Sequence, residues 1–75
     1  MYVFNERLKL LRKENNITQK QLAVDIEASE RGIQHYELGE RKPSYELIIR
    51  LCLYFNVSAD YLLGLSDEPR PLRTE

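Results

Sequence analysis

Cysteine is almost missing from this chain. Cys52 stands alone, and a lone thiol closes no internal disulfide, so a reducing, cytoplasmic setting is the expectation. One histidine, His35, and one cysteine in no ligand spacing make no metal site to expect. There is no Gly-rich phosphate loop, hence no expected cofactor. There is no nucleophile–base–orienter set either, hence no expected enzyme. No apolar run approaches the roughly 18–20 residues of a membrane span. The opening Met1-Tyr2-Val3-Phe4-Asn5-Glu6-Arg7 lacks the basic start and apolar core of a signal peptide. An excess of one charge is missing too. Eleven Lys and Arg against twelve Asp and Glu give −1. A nucleic-acid binder would ideally be basic, so the balance counts mildly against DNA unless positive groups gather on one face.

What remains is a globular mix, 43% apolar and 31% charged, in 75 residues. That is one domain, able to bury only about 60% of its unfolded surface and therefore obliged to pack tightly. Apolar residues recur at helical spacing. Phe4, Leu8 and Leu11 make one stripe. Leu22, Ala23 and Ile26 make a second, and Ile33 with Tyr36 a third. Ile48, Leu51, Cys52 and Phe55 make the longest, at i, i+3, i+4, i+7. Tyr61, Leu62 and Leu65 form the last. No stretch alternates as a half-buried strand would.

Start and stop signals bracket these stripes. Thr18, Ser29, Ser44 and Ser58 stand where N-caps belong. Gln21, three residues after Thr18, completes a capping-box pattern. Glu46 and Asp60 suit the positive end of a helix dipole. Asn15-Asn16, Gly39, Asn56 and Gly64 stand where helices end, because Asn and Gly tolerate the left-handed backbone. The prediction is an all-α, five-helix fold, with helices at about 4–14, 18–26, 29–38, 44–55 and 58–63. From Ser66 onward the sequence is polar and broken by Pro69 and Pro71, and reads as a flexible tail over 66–75.

Only Glu27-Ala28, with Ser29 as cap, separate the second and third helices. So short a turn forces a sharp crossing, the helix-turn-helix geometry whose second helix can enter a major groove. At this point a resemblance becomes evident. Thr18-Gln19-Lys20-Gln21-Leu22-Ala23, then Ser29, Ile33, Tyr36-Glu37, Gly39, Arg41, Pro43-Ser44, and finally Val57 to Gly64 resemble the XRE-type helix-turn-helix family of phage Cro and repressor proteins. The likeness runs from about Phe4 to Gly64. It implies a compact five-helix bundle over residues 1–65 that binds operator DNA, as a homodimer, to regulate transcription.

The resemblance also assigns roles. Gln19 falls where the family clamps phosphate, a position suited to a helix N-terminus, and the caps Thr18 and Ser29 join the same surface. Glu30, Arg31, Gly32 and His35 fall at the base-reading positions, with Gln34 more peripheral. Arg41 and Lys42 fall in the phosphate-touching loop. Arg12 and Glu37 match a buried ion pair that is architectural. Glu27 replaces the usual turn glycine, at a cost of about 1 kcal/mol if that backbone is left-handed. Gly32 replaces a common Ser or Thr and opens a close approach of backbone to the groove.

Other readings stay open beside these. Arg31 suits a guanine edge but equally a solvated helix face, and His35 suits a base, a phosphate or plain surface. Glu30 can accept from a cytosine amino group or pair with Arg31. Cys52 reads as packing, and Tyr36, Tyr45 and Tyr61 as core and rim. Leu10, Leu47, Ile49, Leu53 and Tyr54 lie off the core stripes and suggest a contact patch, for a homodimer through the fourth and fifth helices or for the tail. A protein-interaction module on the same fold, or an antitoxin-like protein that binds DNA and also a toxin partner, is the competing function.

Overall fold

The computed structural model describes residues 3–70. Over these, five helices follow one another: α1 (Phe4–Glu14), α2 (Gln19–Asp25), α3 (Glu30–Glu37), α4 (Tyr45–Phe55) and α5 (Ala59–Leu63). Four of the five starts are set by one device. Thr18, Ser29, Ser44 and Ser58 are in extended backbone, and each side chain accepts the amide of the residue three ahead. Each bond satisfies one of the orphan donors at a helix start. The reciprocal half of the expected capping box is not made. Gln21 Nε2 instead donates to Asp25 Oδ1, one turn on, at 2.8 Å. An i, i+4 partner on the same helix face competes with the reach back to the cap.

The stripes converge on one core: Phe4, Leu8 and Leu11 of α1, Leu22 and Ala23 of α2, Ile26, Ile33 of α3, Leu47, Ile48 and Leu51 of α4, Val57, and Leu62 of α5. Burying each large apolar side chain contributes about 1.5–3 kcal/mol. α1 packs against α3 and α5, α2 against α3, and α4 against α5. Phe4 meets Tyr36 edge to face, with ring centroids 6.2 Å apart. Cys52 is half-buried against the core, and burial pushes its thiol pKa up.

Three sequence expectations need correction. Leu47 is buried and belongs to the core, not to the surface patch. Tyr45 and Leu65, by contrast, are each 77% exposed. One residue of slip on an α-helix turns a side chain by about 100°, so Tyr45 and Leu47, at the edge of the α4 stripe, fall on opposite sides of the boundary, while Leu65 lies past the left-handed Gly64 that ends α5 and is off the helix.

Arg7 links the two ends of the described chain. Its Nη1 donates to the carbonyls of Tyr61 and Ser66, at 2.9 and 3.0 Å, and Nη2 to Asp67 Oδ1 at 2.9 Å. The guanidinium also lies 4.1 Å from the centroid of the Tyr61 ring, a cation–π distance. Further along, the Pro69 carbonyl accepts the Ser58 amide at 2.8 Å. Residues 66–70 are thus bonded to α1 and to the start of α5. The rest of the tail read from sequence, 71–75, lies outside the described residues. Gly64 allows α5 to end against the start of α1, since a Cβ there would come within 2.1 Å of Val3 Cγ2.

Candidate nucleic-acid interface

The turn between α2 and α3 is tight. Ile26 caps α2, Glu27 adopts φ +61°, and the Ala28 amide donates back to the Ala23 carbonyl at 2.8 Å. The left-handed residue is therefore a glutamate, which carries the strain expected for any side chain there. The turn is braced from α4. Arg50 Nη1 donates to the Ile26 carbonyl at 3.1 Å, and the Tyr54 hydroxyl to Asp25 Oδ2 at 2.5 Å. That hydrogen bond raises the Tyr54 pKa, with burial and the Asp25 charge adding to it.

α3 sits against α1 through a buried polar cluster. Glu37 accepts from Arg12 Nε and Nη2, and from Gln19 Nε2 at 3.0 Å. Arg12 Nη1 donates to the Ile17 carbonyl at 2.9 Å. One carboxylate thereby locks α1, the start of α2 and α3 together. The ion pair expected from sequence is present, and Gln19 joins it, which the sequence reading did not anticipate.

The outer face of α3 is left for a partner. Glu30, Arg31, Gln34 and His35 line one shallow depression. Glu30 also borders an adjoining groove with Thr18, Gln19 and Lys13. The predicted readers and the start of α2 therefore share a continuous surface. Among the described residues, the side chains of Glu30, Arg31, Gln34 and Lys42 have no hydrogen-bond or ion-pair partner. The Glu30–Arg31 pair considered from sequence is not formed. Arg41 lies 5.9 Å from the centroid of the Tyr36 ring, beyond the end of α3.

This chain matches the family described as "Helix-turn-helix domain" over residues 5–68. It belongs to the XRE-type helix-turn-helix family. The uncharacterized HTH-type transcriptional regulator YobD of Bacillus subtilis is 36% identical over 69 residues, which cover 92% of this chain and 62% of YobD. ImmR of the same organism is 31% identical, covering 93% of this chain and 55% of ImmR. This chain thus spans somewhat more than half the length of these curated relatives. Among solved structures, a transcriptional regulator from Listeria innocua superposes with a TM-score of 0.80 at 32% identity, covering 100% of this chain and 67% of the other. The P22 c2 repressor, crystallised with a synthetic operator, gives 0.78 at 30% identity, covering 84% and 96%.

Within this XRE-type frame, one expected site residue stands apart from the outer face and a second is partly engaged. Gly32 is buried, and its amide donates to the Ser29 hydroxyl at 2.9 Å. A Cβ on Gly32 would meet that same oxygen at 2.9 Å. The glycine keeps the cap of α3 open rather than thinning the outer surface. Gln19 spends one amide hydrogen on Glu37, so only its remaining groups are free.

One residue that sequence reasoning missed is Glu40. His35 Nδ1 and Glu40 Oε1 are 2.7 Å apart. The helix end brings them together. The Glu40 amide donates to the His35 carbonyl, and the Gly39 amide to the Tyr36 carbonyl, with Gly39 at φ +78°. This is a Schellman ending, which returns the chain over the last turn of the helix. The sequence signal for it is the glycine two residues after Glu37, which marks the end of the helix but not the contact that the ending makes.

Proposed function

We propose that this chain is a sequence-specific DNA-binding transcriptional regulator, a repressor working in the cytoplasm, which seats α3 in the major groove. The observation that carries this reading is the outer face of α3. Arg31, Gln34 and Glu30 present unpaired hydrogen-bonding groups there, on a helix clamped to the domain by Glu37. In this reading Thr18, Gln19 and Ser29, ahead of α3 in the chain, and Arg41 and Lys42, after it, contact the phosphate backbone. The near-neutral total charge is no obstacle, because affinity follows the local cations that replace counterions. The regulator acts as a homodimer on a palindromic operator. Tyr45, Ile49 and Leu53 stand at i, i+4, i+8 on α4, each at least half exposed, and offer a second copy an apolar row. A dimer of this kind spaces two reading helices by about 34 Å.

Selection of the purified protein against randomised duplexes, at two salt concentrations, tests this. Enrichment of a palindrome with half-sites about one turn apart, and loss of binding at the higher salt, is the expected result. No retention at low salt would overturn the reading. The apolar row on α4 favours a second reading, a protein-interaction module or antitoxin-like protein that binds a protein partner. Capture of such a partner without any salt-dependent DNA affinity would select it.

A further inference from the structure

Three of the four side chains lining the depression on α3 are unrestrained, and one is held. His35, whose side chain is 30% exposed, is bonded through Nδ1 to Glu40 at 2.7 Å. A carboxylate only accepts hydrogen bonds, so the proton between them belongs to Nδ1. A neutral imidazole carries one ring proton, and the partner of one nitrogen therefore decides the state of the other. With Nδ1–H donated to Glu40, Nε2 is a bare acceptor. The other charged groups at this depression are Arg31, one turn back on the same helix, and Glu30. Neither bonds the ring. The contact is also geometrically supported. The Schellman bonds of Gly39 and Glu40 fix the backbone that carries the carboxylate, so Glu40 does not depend on a free loop to find His35.

We propose that Glu40 is a positioning residue for base readout, which holds neutral His35 in the tautomer that accepts at Nε2. This inference rests on the DNA-binding reading above. An acceptor in the major groove selects an amino group, the N6 of adenine or the N4 of cytosine. A donor there pairs instead with the O6 or N7 of guanine, the O4 of thymine or the N7 of adenine. Glu40 thus decides, without touching DNA, whether His35 seeks an amino group or an acceptor on the base edge.

Two measurements test this, both at about pH 8.5, well above the ordinary histidine range. The first needs no DNA. Nitrogen-15 spectra of the imidazole should show a protonated Nδ1 and a bare Nε2 in the unmodified chain. Glu40→Ala should shift the ring toward the Nε2–H form, and Glu40→Gln, which keeps an acceptor oxygen, should restore the original pattern at least in part. The second is operator selection. His35→Ala identifies the base position that depends on His35. The unmodified chain should prefer adenine or cytosine there, Glu40→Ala should lose or invert that preference by about three- to tenfold, and Glu40→Gln should retain it. A bare Nδ1 in the unmodified chain overturns the inference and leaves the DNA-binding reading intact. So does a uniform loss of affinity in Glu40→Ala with base preference unchanged, since that is the mark of a structural role. A chain that enriches no sequence at all overturns both.

Discussion

Arg12 holds Glu37 by both carboxylate oxygens, Nε to Oε2 at 2.5 Å and Nη2 to Oε1 at 3.1 Å, with only 4% of the carboxylate side chain exposed. A buried carboxylate survives this desolvation because all its bonds are to donors, one of them cationic. The same group carries Gln19, so the pair fixes the angle at which α3 leaves α1 and the start of α2. Replacing Glu37 with Ala leaves Arg12 buried without its counter-ion, and should cost about 3–5 kcal/mol in denaturant unfolding. Replacing the pair together, Arg12→Met with Glu37→Leu, should cost much less. A double replacement that costs the sum of the two single replacements would show that the charges are not coupled.

Glu27 occupies a left-handed backbone, φ +61°, in the turn ahead of α3. Its side chain is exposed, so little packing offsets the strain. Glu27→Gly should stabilise the domain by about 1 kcal/mol and raise the melting temperature by about 4–8 °C. An unchanged or lower midpoint would mean that Glu27 makes a compensating contribution.

Gly32 and Ser29 should be coupled. Gly→Ala inside a helix ordinarily gains about 1 kcal/mol, but a Cβ at Gly32 would come within 2.9 Å of the capping Ser29 hydroxyl, and a cap contributes a similar amount. Gly32→Ala alone should therefore be close to neutral. In a Ser29→Ala background, where the cap is already gone, it should stabilise. A double-mutant cycle on melting curves measures the difference.

Arg31 and Lys42 should separate readout from affinity. Arg31→Ala is expected to cost about 1–3 kcal/mol of operator binding and to relax preference at one base position. Lys42→Ala should weaken all sequences alike and lower the slope of log affinity against log salt by about one. Equal binding of the Arg31 variant to every operator sequence that the unmodified chain discriminates against would instead mark a wider role for that side chain.

Tyr54 should leave a signature at alkaline pH. Its pKa is raised, chiefly because its hydroxyl donates to Asp25. The folded state thus holds the phenolic proton more tightly than the unfolded state. The bond's contribution is complete below the ordinary tyrosine range and is lost as pH rises through the raised value. Both groups are exposed, so screening limits the contribution to about half a kcal/mol. Tyr54→Phe should remove this loss and flatten stability against pH above about pH 10. The same slope in both proteins would show that the bond does not form in solution.

Much of this fold is written locally. Thr18, Ser29, Ser44 and Ser58 cap their helices because a hydroxyl three residues before an amide needs nothing further away. Asn16, Gly39, Asn56 and Gly64 take the left-handed turns that their side chains permit. The apolar spacing places Phe4, Leu8, Leu22, Ile33, Leu51 and Leu62 in the core with no other information. The outward side of α3 follows from the same periodicity. So does Arg31's place on it.

The rest depends on residues far apart in the chain, and only packing brings them together. Nothing within a few positions of Arg7 announces Tyr61, Ser66 and Asp67, 54 to 60 residues away, as its partners. Nothing near Gln19 announces Glu37. Leu47 went inside, and Tyr45 stayed out, because α4 settled against the core at one rotation that the apolar pattern alone left loose. Glu40 is five residues from His35, close in sequence, yet their contact needs the reversal of direction at Gly39. Local hydrogen-bonding chemistry decided where the helices begin and end. The tertiary structure decided which face each one buries and which side chains are left for a partner, because those choices minimise exposed apolar area and unpaired buried charge over the whole domain at once.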